Sequence, residues 1–125
     1  MDDSRKFFFD TYAIFEIAKG SKNYENYIND VGIATTKLNL MELYYKLLTN
    51  FGIDAAEFFY NKYRQFAVDV PDNLIKIAMI FRAKHKKRDL SYVDCIGYVL
   101  ALEHKIKFLT GDGQFENMEN VEFVK

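Results

Sequence analysis

Apolar residues in this chain fall into two alternating patterns, short unbroken runs and longer stretches at helical spacing. Together they predict buried strands interleaved with helices. Residues 6–9 (Lys-Phe-Phe-Phe) read as a first strand, followed by an apolar helix over 11–19 that stops at Gly20. A second short helix is expected over 24–29 and a second strand over 32–36. Leu40, Leu43, Tyr44, Leu47, Leu48 and Phe51 then recur at helical spacing, with Gly52 as the stop. Another helix begins at Asp54 and carries Phe58, Phe59 and Tyr63, and 66–68 reads as a third strand. Pro71 opens a helix with the stripe Leu74, Ile77, Ala78 and Phe81, running out in Lys84-His85-Lys86-Lys87-Arg88. Ser91 starts the next helix, through Tyr98, Leu102 and Glu103. A strand over 106–109, a Gly-Asp-Gly turn and a last strand over 121–124 complete the pattern. With right-handed crossovers this predicts an α/β fold: one domain over 1–125, a three-layer α/β/α sandwich on a central parallel sheet of about five strands.

Composition narrows the chemistry. The 12 Phe and 9 Tyr bias the core toward aromatics, and the formal charge of −1 rules out a global basic field for nucleic acid. A local basic rim or a bound divalent cation could still serve a polyanionic substrate. Cys95 is the one cysteine, which excludes an internal disulfide and a multi-cysteine zinc site. The first residues carry Asp2 and Asp3 where a signal peptide needs base, and the apolar run behind them is too short to span a membrane. A cytoplasmic protein is the expectation.

Four carboxylates hold the candidate chemistry. Asp10 ends the first strand, and Asp112 lies just past the strand over 106–109. Glu42 and Asp94 sit in early turns of crossover helices, which begin near the carboxyl edge of a parallel sheet. All four are therefore expected at one edge, where open α/β sheets bind ligands. Two such charges about 5 Å apart repel by roughly 3 kcal/mol at an effective dielectric of about 20. Either some acids stay protonated or a divalent cation neutralises them. Oxygen donors without Cys or His suit Mg²⁺ or Mn²⁺ better than Zn²⁺, and phosphodiester hydrolysis is the chemistry such a site supports. Each acid also has a plain reading. Asn39-x-x-Glu42 and Ser91-x-x-Asp94 resemble capping boxes, Asp112 is a turn residue, and Asp10 could cap the first helix. Independent caps, however, need not converge on one edge.

Phe8-Phe9-Asp10-Thr11 before an apolar helix resembles the opening of a PIN domain, the fold of VapC-type toxins. Leu90-Ser91-Tyr92-Val93-Asp94, a helix with Ala101, and then Phe108-Leu109-Thr110-Gly111-Asp112-Gly113-Gln114-Phe115 resemble the family's second signature. Glu42 matches its middle acid by position. The resemblance implies a Mg²⁺- or Mn²⁺-dependent endoribonuclease, homodimerisation, and silencing by a cognate antitoxin whose helix or tail occupies an apolar groove. It makes Asp10 and Asp94 the central metal ligands, with Asp112 and Glu42 binding directly or through water. Tyr12 departs from the family's usual serine, so Thr11 or Thr110 would have to supply the supporting hydroxyl. Cys95 replaces a usual alanine.

Other features have weaker claims. Lys84, Lys86, Lys87 and Arg88 are either a substrate rim or a solvated helix end. His85 and His104 pair with no nucleophile or carboxylate. Tyr44, Tyr45, Phe58, Phe59, Tyr60 and Tyr63 offer more apolar surface than one core face can bury, and the surplus suits a dimer or antitoxin contact. The competing readings are a PIN-type RNA-processing nuclease and a non-catalytic PIN-like binding module. A receiver-like domain fits poorly, since Asp2-Asp3 precedes the first strand instead of following it.

Overall fold

Three consecutive phenylalanines cannot share one face of a strand, because the pleat sends alternate side chains to opposite sides. In the computed structural model, which describes residues 5–125, strand β1 (Lys6–Phe9) does this. Phe7 and Phe9 enter one apolar cluster and Phe8 the other. β1 pairs in parallel with β2 (Gly32–Ala34) on one side and β3 (Lys107–Thr110) on the other, and β4 (Val121–Phe123) adds beyond β3. The order is β2-β1-β3-β4, every pair parallel. Leu109 continues the Phe9 face and Phe108 the Phe8 face.

A sheet buried on both faces needs a helical layer on each. The Phe7/Phe9 face is covered by α1 (Thr11–Ala18), α2 (Lys37–Phe51) and α3 (Ile53–Tyr63), through Ile14, Phe15, Leu40, Leu43, Leu47 and Tyr63. The Phe8/Phe108 face is covered by α4 (Asp72–Lys84) and α5 (Tyr92–Glu103), through Leu74, Ala78, Ile96, Val99 and Leu100. The three-layer α/β/α arrangement is thus the one the alternating pattern predicts. No helix among the described residues is long and apolar enough to cross a membrane.

The sheet has four strands, not five. The expected strand over 66–68 is reduced to a single parallel bridge between Thr35 and Ala67. Thr35 donates its N–H to the Phe66 carbonyl at 3.0 Å and accepts from the Val68 N–H at 2.8 Å. Nothing more can form, because α3 tightens into a 3₁₀ turn at Arg64–Phe66 and Thr36 already caps α2. The short helix expected over 24–29 is a 3₁₀ turn at Lys22–Tyr27. Its tyrosines fasten it to the far edge of the molecule: the Tyr24 hydroxyl donates to the Val124 carbonyl and Tyr27 to Glu122. On α4 the predicted stripe holds at Leu74 and Ala78, while Ile77 is 49% exposed.

α5 crosses the sheet at Gly97. A β-carbon there would lie 2.7 Å from Phe8 Cε1 and 3.1 Å from Phe108 Cε1, both rings being fully buried and stacked on each other. Alanine would gain about 1 kcal/mol in helix propensity, but overpacking a closed aromatic layer costs about 1–3 kcal/mol. Gly97→Val should therefore lower the unfolding free energy by about 2–3 kcal/mol, and Gly97→Ala by less. Urea denaturation at neutral pH measures both, and a stabilised Gly97→Val would refute the close packing.

Candidate active site

The chain leaves β1 for β2 on one side and returns to β3 on the other, so strand order reverses between β1 and β3. Side chains at the carboxyl ends of these strands open into the crevice this reversal creates. Asp10 follows β1 directly and is 3% exposed. Its N–H still donates to the Leu109 carbonyl at 3.1 Å, extending the strand pairing by one residue. Although Asp10 stands at the N-cap position of α1, its carboxylate makes no capping bond. Instead Oδ2 accepts from the Thr110 hydroxyl at 2.8 Å, and Oδ1 is buried with no hydrogen-bond partner among the described residues.

The other three acids reach the same place by different local routes. Asp94 and Ser91 form a full capping box at the start of α5: Asp94 Oδ2 accepts from the Ser91 N–H at 2.9 Å, and Ser91 Oγ from the Asp94 N–H at 3.0 Å. Asp112 Oδ1 accepts from the Gln114 N–H at 3.0 Å, capping the 3₁₀ turn Gly113–Phe115. Glu42 lies in the second turn of α2 and accepts at Oε1 from the Thr11 hydroxyl at 2.9 Å. The Asn39-x-x-Glu42 capping box expected from sequence does not form, because Thr36 is the cap and Asn39 is interior. Asn39 accepts from the Thr36 hydroxyl at 2.6 Å and donates its side-chain N–H to Thr11 Oγ1 at 3.1 Å. It is a supporting residue that the sequence reading missed. Its trace in the sequence is an amide four residues before Leu43 of the apolar stripe and three residues after Thr36.

The four acids line one cavity of about 450 Å³, completed by Thr11, Tyr12, Tyr45, Lys46 and Thr49. Hydrogen bonds hold one oxygen of each carboxylate, by Thr110, Thr11, the Ser91 N–H and the Gln114 N–H respectively. Thr110 also accepts from the Asp112 N–H at 3.1 Å, tying Asp10 to the Asp112 turn. After Asp10-Thr11, Tyr12 presents a ring in place of the small hydroxyl that the resemblance associates with this position. That ring packs on Gly111: a β-carbon there would meet Tyr12 Cε1 at 2.3 Å and the Val124 carbonyl oxygen at 2.2 Å. Tyr12 thereby braces the turn that carries Asp112, and the two threonines provide the hydroxyls.

The remaining candidates lie outside the cavity. Arg88 donates to the Gln114 carbonyl at 2.7 Å, while Lys84, Lys86 and Lys87 are exposed. His85 shares a hydrogen bond with the Phe81 carbonyl at 2.9 Å, and His104 ends α5 in solvent. Cys95 is fully buried, and burial pushes its thiol up to about 11. Asp2 and Asp3 lie outside the described residues.

Against known proteins, the sequence pattern of the PIN domain matches residues 7–121. The chain belongs to the PIN domain family. No curated protein sequence matches it. Among solved structures, VapC20 of Mycobacterium tuberculosis, described as a sarcin–ricin loop cleaving toxin, superposes with a TM-score of 0.80 at 20% identity, covering 95% of this chain and 99% of that one. A toxin–antitoxin complex from Klebsiella pneumoniae gives 0.71 at 15% identity, covering 91% and 93%. VapBC2 from Rickettsia felis, bound to a DNA fragment from its promoter, gives 0.69 at 14% identity, covering 93% and 95%. At these identities the likeness is one of fold, and it spans the whole PIN domain.

Electrostatics set the resting state of this PIN domain. Burial, and then the charges of Asp94 and Glu42, raise the Asp10 carboxyl from 3.8 to about 8, against the hydrogen bond from Thr110. Burial also raises Glu42, opposed by the Thr11 hydroxyl, and raises Asp94, opposed by Ser91 and reinforced by Asp112. Among the described residues no three His, Cys, Asp or Glu side chains are already gathered around a cation position. The donor set nevertheless fits a hard divalent cation: every donor is oxygen, and Asp10, whose Oδ1 is buried and unpaired among the described residues, lines the same cavity as the other three acids.

The sign of the resulting pH dependence follows from Asp10. An acid raised on folding favours the folded state while protonated, so that stability is present below about pH 4 and is lost as pH rises towards 8. In EDTA, Asp10→Asn should raise the unfolding free energy at pH 8 by about 1–3 kcal/mol, and the gain should vanish near pH 4. Urea titrations at the two pH values measure this. A variant less stable than the wild type at pH 8 would contradict the buried, unpaired carboxylate.

Proposed function

We propose that this PIN domain is a metal-dependent endoribonuclease that hydrolyses RNA phosphodiester bonds, and that it is the toxin of a toxin–antitoxin pair. The observation that carries the reading is the cavity itself. Four carboxylates from four different segments line it, each with one oxygen held by its own neighbour and Asp10 left with a buried, unpaired one. Capping accounts for Asp94 and Asp112 alone, and gives no reason for Asp10 and Glu42 to line the same space.

Asp10 and Asp94 would hold a Mg²⁺ or Mn²⁺ ion, with Asp112 and Glu42 completing the set directly or through water. Such an ion, when bound, neutralises the acids and polarises the phosphate and an attacking water. The chain's own part is to position and to move a proton. Thr110 fixes the rotation of the Asp10 carboxylate, and the Ser91 N–H fixes that of Asp94. Glu42, half-buried and oriented by Thr11, is placed to accept the proton of a water attacking in line. The toxin assignment is supported by the three structural neighbours and by the apolar surface left over. Phe51, Ile53 and Phe58 on α2 and α3, and Ile75, Ile77 and Ile80 on α4, are all exposed. These two faces suit an antitoxin and a second copy of the chain in the cytoplasm.

The purified protein should cleave RNA only with Mg²⁺ or Mn²⁺ present and stop on addition of EDTA. Asp10→Asn and Asp94→Asn should each lower the rate by more than about 100-fold with an unchanged circular dichroism spectrum. Cleavage that survives EDTA or both substitutions would overturn the mechanism. Growth arrest on expression, lost in Asp94→Asn, separates a toxin from an RNA-processing nuclease.

A further inference from the structure

α2 does more than supply Glu42. Glu42, Tyr45, Lys46 and Thr49 fall at i, i+3, i+4 and i+7, one face of the helix, and all four line the acidic cavity. Tyr45 is 69% exposed beside a site whose floor, Asp10, is almost fully buried. Folding leaves this ring without a packing role. Lys46 is the one Lys or Arg among the residues that line the cavity. Its ammonium sits 4.3 Å over the ring of Phe15, a buried residue of α1, and its charge acts on Glu42. The acids at one end of this strip repel a polyanion, and Lys46, one helical turn along, attracts it.

An exposed aromatic next to a cation, both lining a cavity of about 450 Å³, is a combination that suits an unpaired nucleotide. The ring offers a stacking face to any base, and the cation offers a partner to the adjoining phosphate. Paired bases have no free face for Tyr45, so a duplex cannot use the strip. Resting on the nuclease reading above, we propose that Tyr45 and Lys46 form the substrate strip of this site. Tyr45 stacks on a base of single-stranded RNA, and Lys46 pairs with the phosphate next to the one that is cut.

The test uses the full chain carrying Asp94→Asn, Mg²⁺, and a 5′-labelled single-stranded oligoribonucleotide of about 12 nucleotides followed by fluorescence anisotropy. Tyr45→Ala should weaken binding roughly 5- to 100-fold, and Tyr45→Phe should keep it. Lys46→Ala should weaken binding and reduce the slope of log affinity against log salt by about 0.7, with Lys46→Arg restoring both. The same oligonucleotide annealed to its complement should bind weakly and show no dependence on Tyr45. In the chain with Asp94 intact, the two alanine variants should raise KM more than they lower kcat. Thermal unfolding of each variant checks that the fold is kept, since Lys46 also rests on Phe15. Affinities and KM unchanged within about twofold, in folded variants, would overturn the strip and hand this face of α2 to a protein partner. A wild type that cuts no RNA yet binds it through Tyr45 and Lys46 would overturn the nuclease reading and keep the strip. A wild type that cuts RNA with KM indifferent to both residues would do the reverse.

Discussion

A carboxylate at the end of a strand of phenylalanines is expensive to bury, since an unpaired charge in such surroundings costs several kcal/mol. Asp10 occupies that position because β1 is central in the sheet and its carboxyl end points into the crevice between β1 and β3. One hydrogen bond from Thr110 compensates part of the cost and leaves the second oxygen unpaired. The rest of the molecule holds that arrangement in place. Two aromatic and aliphatic layers clamp the sheet from both faces, α5 crosses it closely at Gly97, and Asp94 in the first turn of α5 lines the same cavity.

Capping and catalysis are often treated as competing explanations of an acid at a helix start. Here one oxygen of each carboxylate makes a hydrogen bond while the side chain still lines the cavity. The capping box at Ser91 and Asp94 and the turn at Asp112 each occupy one carboxylate oxygen. The local bond restrains the side chain's rotation, and both acids still line the cavity. The two threonines do for Asp10 and Glu42 what backbone N–H groups do for the other two. Thr110 further couples Asp10 to the Asp112 turn, and Tyr12 braces that turn through Gly111. Four acids at an edge thus become a set held in place by hydrogen bonds, the preorganisation that the proposed catalysis would use.

α2 is where site and surface meet. Its inner face, Leu40, Leu43 and Leu47, belongs to the core, and Asn39 carries a hydrogen-bond chain from the helix start to Thr11. Another face runs from Glu42 to Thr49 along the cavity, and the outer end leaves Phe51 exposed. The proposed substrate strip and this exposed apolar end share one helix, so a protein partner bound there would obstruct the path to the acids.

Much of this was legible in the chain alone. The alternation of Phe7, Phe8 and Phe9, the helical spacing from Leu40 to Leu47 and the cap at Ser91 are local properties. They determined the α/β class, the parallel sheet with helices on both faces and the edge at which the four acids lie. Four things were decided only by tertiary structure. The strand over 66–68 shrank to one bridge because Thr36 was needed as the cap of α2, a competition between neighbours that no single segment displays. Asn39 turned from cap to buried link because its partners, Thr11 and Thr36, are assembled by packing α1 on α2. The unpaired oxygen of Asp10, and the meeting of Tyr45 and Lys46 with the acids, depend on distances between elements. Periodicity reports which face of an element is buried; it carries no information about which atoms of two buried faces come within hydrogen-bond reach.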